Sequence, residues 1–296
     1  MIPTTTPDEL AGITAADRPL KRKGHIKRST ASQILTWVVL AMMGVVTLVP
    51  FAVTFILAMS PVGEPTLPEA LPRRLTLDNL QRALGSSAIV QWTINSMVYA
   101  VVSTAFVLLM ACMAGYALAK KPFPGSKVLL WGFLGTIMIP GQVTLIPLFT
   151  LVSAMDGINT MWGMILPTLA NSQAVFLMRQ FILGLPDEIF DAARIDGASE
   201  WRVFVQIVMP LTKPIMATLA IFVFLWHWND FLWPLVVAQK SSVKTLTVGL
   251  AGLETEGASV QSLMSSAAIT VIPCLVIFFL LQRYLVRGVA AGAVKG

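Results

Sequence analysis

Asp191, Ala192 and Ala193 are followed four residues on by Gly197, then by Ile207 and Pro210. These residue types suit recognition better than catalysis. A carboxylate at 191 accepts hydrogen bonds, the two alanines let another surface approach the backbone, and Gly197 lets the chain turn. Arg194 and Asp196 add charge of both signs. A second group, Trp226, Trp228, Asn229 and Asp230, joins aromatic faces to polar tips. Raw material for covalent or metal chemistry is scarce. His25 and His227 are the only histidines, and Cys112 and Cys274 lie far apart in apolar runs. No HExxH, GxSxG or GxxxxGK[ST] motif occurs. No catalytic residue, metal ligand or disulfide is assigned, and no bound cofactor is expected.

The elements that must position these residues follow from composition. Of 296 residues, 56% are hydrophobic and only 12% charged, and mean hydropathy is +0.76. Soluble domains carry about a quarter charged residues, so an all-α integral membrane protein is expected. A spanning helix needs about 20 apolar residues. Charge-free intervals predict six transmembrane helices: near 34–59, near 92–118, and within 127–156, 156–179, 213–240 and 256–283. Helix 1 has too long an apolar run for a cleavable signal. Residues 61–87 and 238–262 form the two larger outer loops.

Six spans put both termini on one side. That side carries sixteen Lys and Arg residues against five on the other, so the termini are expected in the cytoplasm. The net charge of +6 then reads as cytoplasmic anchoring, and no nucleic-acid partner is inferred. Residues 1–30 are expected to be a mostly disordered basic cytoplasmic tail. Residues 31–84 make the first transmembrane helix and an outer loop, and 85–296 the main transmembrane domain.

This topology puts 186–210 in a cytoplasmic loop between helices 4 and 5. Eight charged residues fall between Asp187 and Lys213 in an otherwise apolar chain. Pro186 suits a helix start, with Asp187 and Glu188 near its positive end. Gly197 ends that helix, Ser199 caps a second one over about 200–209, and Pro210 and Pro214 separate it from the next span. Two readings of the amphipathic segment stand on these residues: a helix lying on lipid, or a docking surface for a protein.

Asp230 is the one acid expected inside a span, about 22 Å along helix 5 if that helix starts near Ile215. With Trp226, Trp228 and Asn229 it reads either as part of a translocation path or gate, or as an interfacial aromatic belt with a structural hydrogen bond. Asn95, Gln142 and Asn171 are expected to make helix-to-helix hydrogen bonds.

The Asp191-Ala192-Ala193, Gly197 and Ile207–Pro210 spacing resembles the EAA loop of ABC-importer permeases, with Asp in place of Glu at 191 and Met in place of Leu at 209. NSMVYA, MIPGQVTLIPLF, LMRQFILGLPDEIFDAARIDGAS, WNDFLWPLV, LTVGLAG and QRYLVRGVAAGAVKG extend the resemblance to the carbohydrate, maltose-permease-type branch over roughly 85–296. It implies a permease subunit importing a carbohydrate by alternating access. The implied partners are a second permease subunit in a heterodimer, two ATPase subunits using ATP and Mg, and an extracytoplasmic substrate-binding protein on the outer loops. Asp191, Ala192, Ala193, Arg194, Asp196, Gly197, Ile207 and Pro210 would receive the ATPase. Import of glycerol 3-phosphate or a glycerophosphodiester is the first alternative. An autonomous secondary transporter or channel is a second, for which Asp230 alone offers thin support, and a membrane enzyme lacks nucleophile–base pairs.

Overall fold

The computed structural model describes residues 30–63, 72–121, 123–255 and 257–293; the basic tail before Thr30 and the middle of the first long loop lie outside them. Every regular element among the described residues is helical. These are α1 Thr30–Ala58, α2 Asp78–Gly85, α3 Ser87–Lys120, α4 Ser126–Ile137, α5 Gly141–Ala154, α6 Met161–Ile165, α7 Ser172–Leu183, α8 Asp187–Ile195, α9 Glu200–Leu211, α10 Lys213–Trp228, α11 Leu232–Val237, α12 Leu246–Thr255 and α13 Val260–Ala293.

Two compact units divide at Phe51. Within the first, the apolar side chains of α1, among them Ile34, Trp37, Val45 and Leu48, are exposed, as suits a helix solvated by lipid. Within the second, from Ala52 onward, α3 lies at the centre and packs most extensively on α7 and α10, while α10 also packs on α13. Ser86 caps α3 by accepting from the Ile89 backbone N–H, and no proline interrupts its 34 residues. Small residues let helices meet closely where lipid offers little competing force. A Cβ at Gly115 of α3 would stand 2.9 Å from Met178 Cγ of α7.

Three helices, α1, α3 and the Val260–Leu280 part of α13, are long and apolar enough to cross a membrane as single rods. They match the expected spans 1, 2 and 6. The expected third span is instead two helices, α4 and α5, bent by 104° at Pro140, whose ring removes a backbone donor and turns its neighbour away from helix. The expected fourth is divided by a turn and by a 3-10 segment, Leu166–Leu169, containing Pro167. In that turn Asp156 and Asn159 adopt positive φ of 57° and 60°. Asn159 pins the turn to the chain beyond α11, donating its N–H to Val237 O and accepting from Lys240 N at 2.7 Å. The expected fifth ends at Trp228, so Asp230 lies in the gap between α10 and α11 rather than inside a helix. Counting each bent pair, α4–α5 and α9–α10, as one span gives up to five.

Candidate functional site

The 186–210 loop folds as a helix, a glycine turn and a second helix. Asp187 and Glu188 occupy the first turn of α8, and Arg194 its last. The chain leaves α8 at Gly197 with φ +67°, a left-handed conformation that costs a residue with a Cβ. Ser199 Oγ then accepts from the Arg202 N–H and starts α9. Within α9, Phe204–Val208 forms a π turn, one residue more per loop of backbone than an α-turn. A 72° bend at Thr212 joins α9 to α10.

The resemblance-derived residues divide by exposure. Ala192, Arg194, Asp196, Gly197 and Pro210 are exposed, as is Asp191, which accepts a hydrogen bond from Arg194 at 2.9 Å. Ala193 is buried at 5% exposure in a core with Phe190, Val203, Phe204 and Met178. A bulky side chain at 193 would therefore collide first with this chain's own core. Ile207, half-buried, lines with Ile189, Ala192 and Arg202 a cleft of about 360 Å³ between α8 and α9. Ile195 is 87% exposed and Trp201 65%. Two large apolar groups thus stand exposed beside the glycine turn.

What holds the loop in place comes from the end of α3. Lys120, ending α3, donates to Leu185 O at 2.9 Å and Asp187 Oδ1 at 2.6 Å, and its ammonium lies 5.1 Å from the Phe190 ring centroid. Lys121 donates to Glu200 Oε1, and Tyr116 donates to Glu200 Oε2 at 3.2 Å. The Lys121 hydrogen bond holds the Glu200 carboxyl below its usual range. Two adjacent basic residues read as cytoplasmic anchors; nothing in one-dimensional spacing marked them as partners of Asp187 and Glu200.

The second candidate group does not converge. Trp228 is buried, stacked on Phe224 at 5.8 Å, and donates to Thr270 O on α13 at 3.1 Å. Asn229 is exposed and folds back on Leu225 O. Trp226, 58% exposed, lines a cleft of about 310 Å³ between α7 and α10 with Asn171, Gln173 and Phe222. Asp230 accepts from Tyr99 Oη at 2.9 Å. Its own carbonyl accepts from Thr247 Oγ1 at 2.8 Å. Beside it, His227 bonds Val223 O and Thr168 Oγ1 and meets the Tyr99 ring edge-on. Asn95 donates to loop carbonyls and accepts from Gln91 of its own helix rather than joining another helix, and Asn171 caps α7 by accepting from Ala174 N–H. Gln142 is exposed, and Cys112 and Cys274 are free thiols.

The described residues thus form a helical, multi-pass membrane chain whose α8–Gly197–α9 loop is held to the end of α3. The chain belongs to the family of binding-protein-dependent transport system inner membrane components, which matches residues 108–291. It is 41% identical over 237 residues to the alpha-glucoside transport system permease protein AglG of Rhizobium meliloti, spanning 76% of this chain and 62% of that protein's length. It is 39% identical to the arabinooligosaccharides transport system permease protein AraQ of Halalkalibacterium halodurans, over 76% of this chain and 81% of that one. It is also 33% identical to the sn-glycerol-3-phosphate transport system permease protein UgpE of Pectobacterium atrosepticum, over 66% and 70%. In fold it is similar to a chain of a bacterial ABC transporter involved in the import of the acidic polysaccharide alginate. There the TM-score is 0.73 at 21% identity, covering 87% of this chain and 98% of that one. A more distant likeness, TM-score 0.50 at 13% identity over 84% and 92%, is to a bacterial alginate ABC transporter in complex with an alginate pentasaccharide-bound periplasmic protein.

Proposed function

We propose that this chain is one of two permease subunits of an ATP-driven ABC importer that brings a sugar or related carbohydrate into the cytoplasm by alternating access. The observation that carries the reading is the α8–Gly197–α9 loop in a chain of this family. Its exposed Ala192, Ile195 and Trp201 suit a socket on a partner. Two ATPase subunits, using ATP and Mg, would engage it, with Asp191, Ala192, Arg194, Asp196, Gly197, Ile207 and Pro210 at or near the contact and Ala193 supporting it from behind. A second permease subunit and an extracytoplasmic substrate-binding protein complete the assembly. The alginate transporter structure in complex with a periplasmic protein supports the latter. The termini and this loop then lie in the cytoplasm, and residues 85–296 form the transmembrane domain. The chain itself needs no nucleotide or metal site.

Trp226, with Asn171 and Gln173 beside it, is the part of the aromatic group best placed to meet a solute, since an aromatic face and two amides suit a sugar ring. Trp228 and Asp230 serve the framework instead. Glycerol 3-phosphate is the second reading, favoured by the relatives that carry that name. The deciding experiment reconstitutes the chain with its partner subunits in proteoliposomes and measures uptake of oligosaccharides, monosaccharides and glycerol 3-phosphate with and without ATP. ATP-dependent uptake of a carbohydrate is expected. Uptake by the chain alone, without ATPases, would replace this reading with an autonomous transporter.

A further inference from the structure

The backbone joins the loop directly to α7 at one end and α10 at the other, and to α3 at neither. Yet the last turn of α3 grips both short helices: Lys120 holds α8 through Leu185 O and Asp187, and Lys121 with Tyr116 holds α9 through Glu200. The opposite end of α3 grips a different segment as closely. Trp92 Nε1 donates to Ser241 O at 3.0 Å, and Asn95 Nδ2 to Ser242 O at 3.0 Å and Lys244 O at 2.9 Å. Ser96 Oγ accepts from Leu246 N at 2.8 Å. The Trp92 ring also lies so close under Gly249 that a Cβ there would come within 2.1 Å of it.

Between Asn95 and Lys120 an α-helix rises roughly 37 Å at about 1.5 Å per residue. A hydrogen-bonded helix of this length without proline is a stiff element, whereas α5 and α13 both contain one. At the loop end the attachment is charged pairing to Asp187 and Glu200 with one bond to Leu185 O; at the far end it is side-chain bonds to the carbonyls of Ser241, Ser242 and Lys244.

We propose that α3 is a connecting rod that ties the loop at one end to the 241–246 segment at the other, so that displacement of either reaches its counterpart across the membrane. This rests on the coupling-loop reading above. Lys120, Lys121, Trp92 and Asn95 are positioning residues: they act through the segments they hold. ATPase closure at α8 and α9 would move the 241–246 segment, and docking of a loaded binding protein there would be felt at the loop.

The test uses the whole complex in proteoliposomes, reading ATP hydrolysis with and without loaded binding protein, and solute moved per ATP. Lys121→Glu, which sets two carboxylates against each other at an exposed pair, is expected to lower solute moved per ATP about tenfold while the complex still assembles. Lys121→Arg should behave as the parent, and Lys121→Glu with Glu200→Lys should regain most of the loss. At the far end Asn95→Ala is expected to reduce stimulation by loaded binding protein at least fivefold with basal hydrolysis unchanged. Parental stimulation and yield per ATP in assembled Lys121→Glu and Asn95→Ala complexes would overturn the rod, as would a swap that regains nothing. Should the Ala192→Cys chain, otherwise parental, crosslink to no ATPase, the coupling-loop reading fails separately.

Discussion

Tyr99 donates its hydroxyl to Asp230 Oδ2 at 2.9 Å across 131 positions of sequence, tying the middle of α3 to the gap between α10 and α11. An acid in this setting is costly unless it is partnered; here the Tyr99 phenol partners it. Tyr99→Phe removes one donor and should destabilise the assembled subunit by about 1–3 kcal/mol, read as a lower thermal unfolding midpoint in detergent. A midpoint equal to the parent's would show that the bond is dispensable.

At Gly197 the positive φ and the surroundings make separable demands. A Cβ there meets nothing within 4 Å of this chain, so a substitution pays only for the left-handed backbone, about 1–2 kcal/mol, and less for Asn. Gly197→Asn should therefore retain most transport. Gly197→Arg should abolish ATP-driven uptake while binding-protein docking at the opposite face persists, because its bulk meets the partner. Normal uptake by Gly197→Arg would remove the loop from the ATPase contact.

Gly249 faces the opposite constraint. Its backbone is ordinary helix, but the Trp92 ring fills the space of a side chain. Gly249→Ala must push α12 off α3, and overpacking of this kind costs about 1–3 kcal/mol. Limited proteolysis in the 240–256 region should accelerate; Trp92→Leu in the same chain should relieve the clash yet fall short of the parental rate, because the Nε1 bond to Ser241 O is lost with the ring.

The Lys121–Glu200 pair gives the loop a pH dependence of known sign. Glu200 is held below its usual range by the Lys121 hydrogen bond, so the folded form binds its proton more weakly than the unfolded form. The stabilisation is full above the ordinary glutamate range and lost as pH falls through the depressed value. Neutral conditions should show the latch closed. Tryptophan fluorescence from Trp201, next to Glu200, should change in the acid limb of a titration of the parent and stay flat in Glu200→Gln over the same limb.

If Trp226 meets solute in its cleft with Asn171 and Gln173, Trp226→Ala should lower uptake at least fivefold while hydrolysis stimulated by loaded binding protein remains. Unchanged uptake would assign Trp226 to lipid contact.

Long uninterrupted apolar runs were legible in the sequence: α1, α3 and α13 fall where charge-free intervals put them. The spans that hydropathy blurred are those whose irregular backbone is satisfied by distant groups. Pro140 and Pro167 stand at two of the breaks, but the turn after α5 is held by Asn159 meeting Val237 and Lys240 in space. In the loop, Pro186, Gly197 and Ser199 marked both helices closely, because caps and turns are local. The partners of Asp187, Glu200 and Asp230 lie on α3, and no local pattern points to them. Proximity in sequence drew Trp226, Trp228, Asn229 and Asp230 into one group, while helical rotation and the break at Asn229 aim them in different directions.

The π turn at Phe204–Val208 gives the loop a residue count as well as a composition. The turn holds one residue more than an α-turn, so deleting one position within it would let the helix close up as ordinary α-helix, with Val208 and Thr212, both fully buried, still facing their pockets. A deletion elsewhere in α9 turns all that follows by about 100° and would swing both away together. Grafts between relatives that differ by one residue at the π turn should therefore be tolerated, whereas one-residue differences on either side of it should fail even where every side chain is matched.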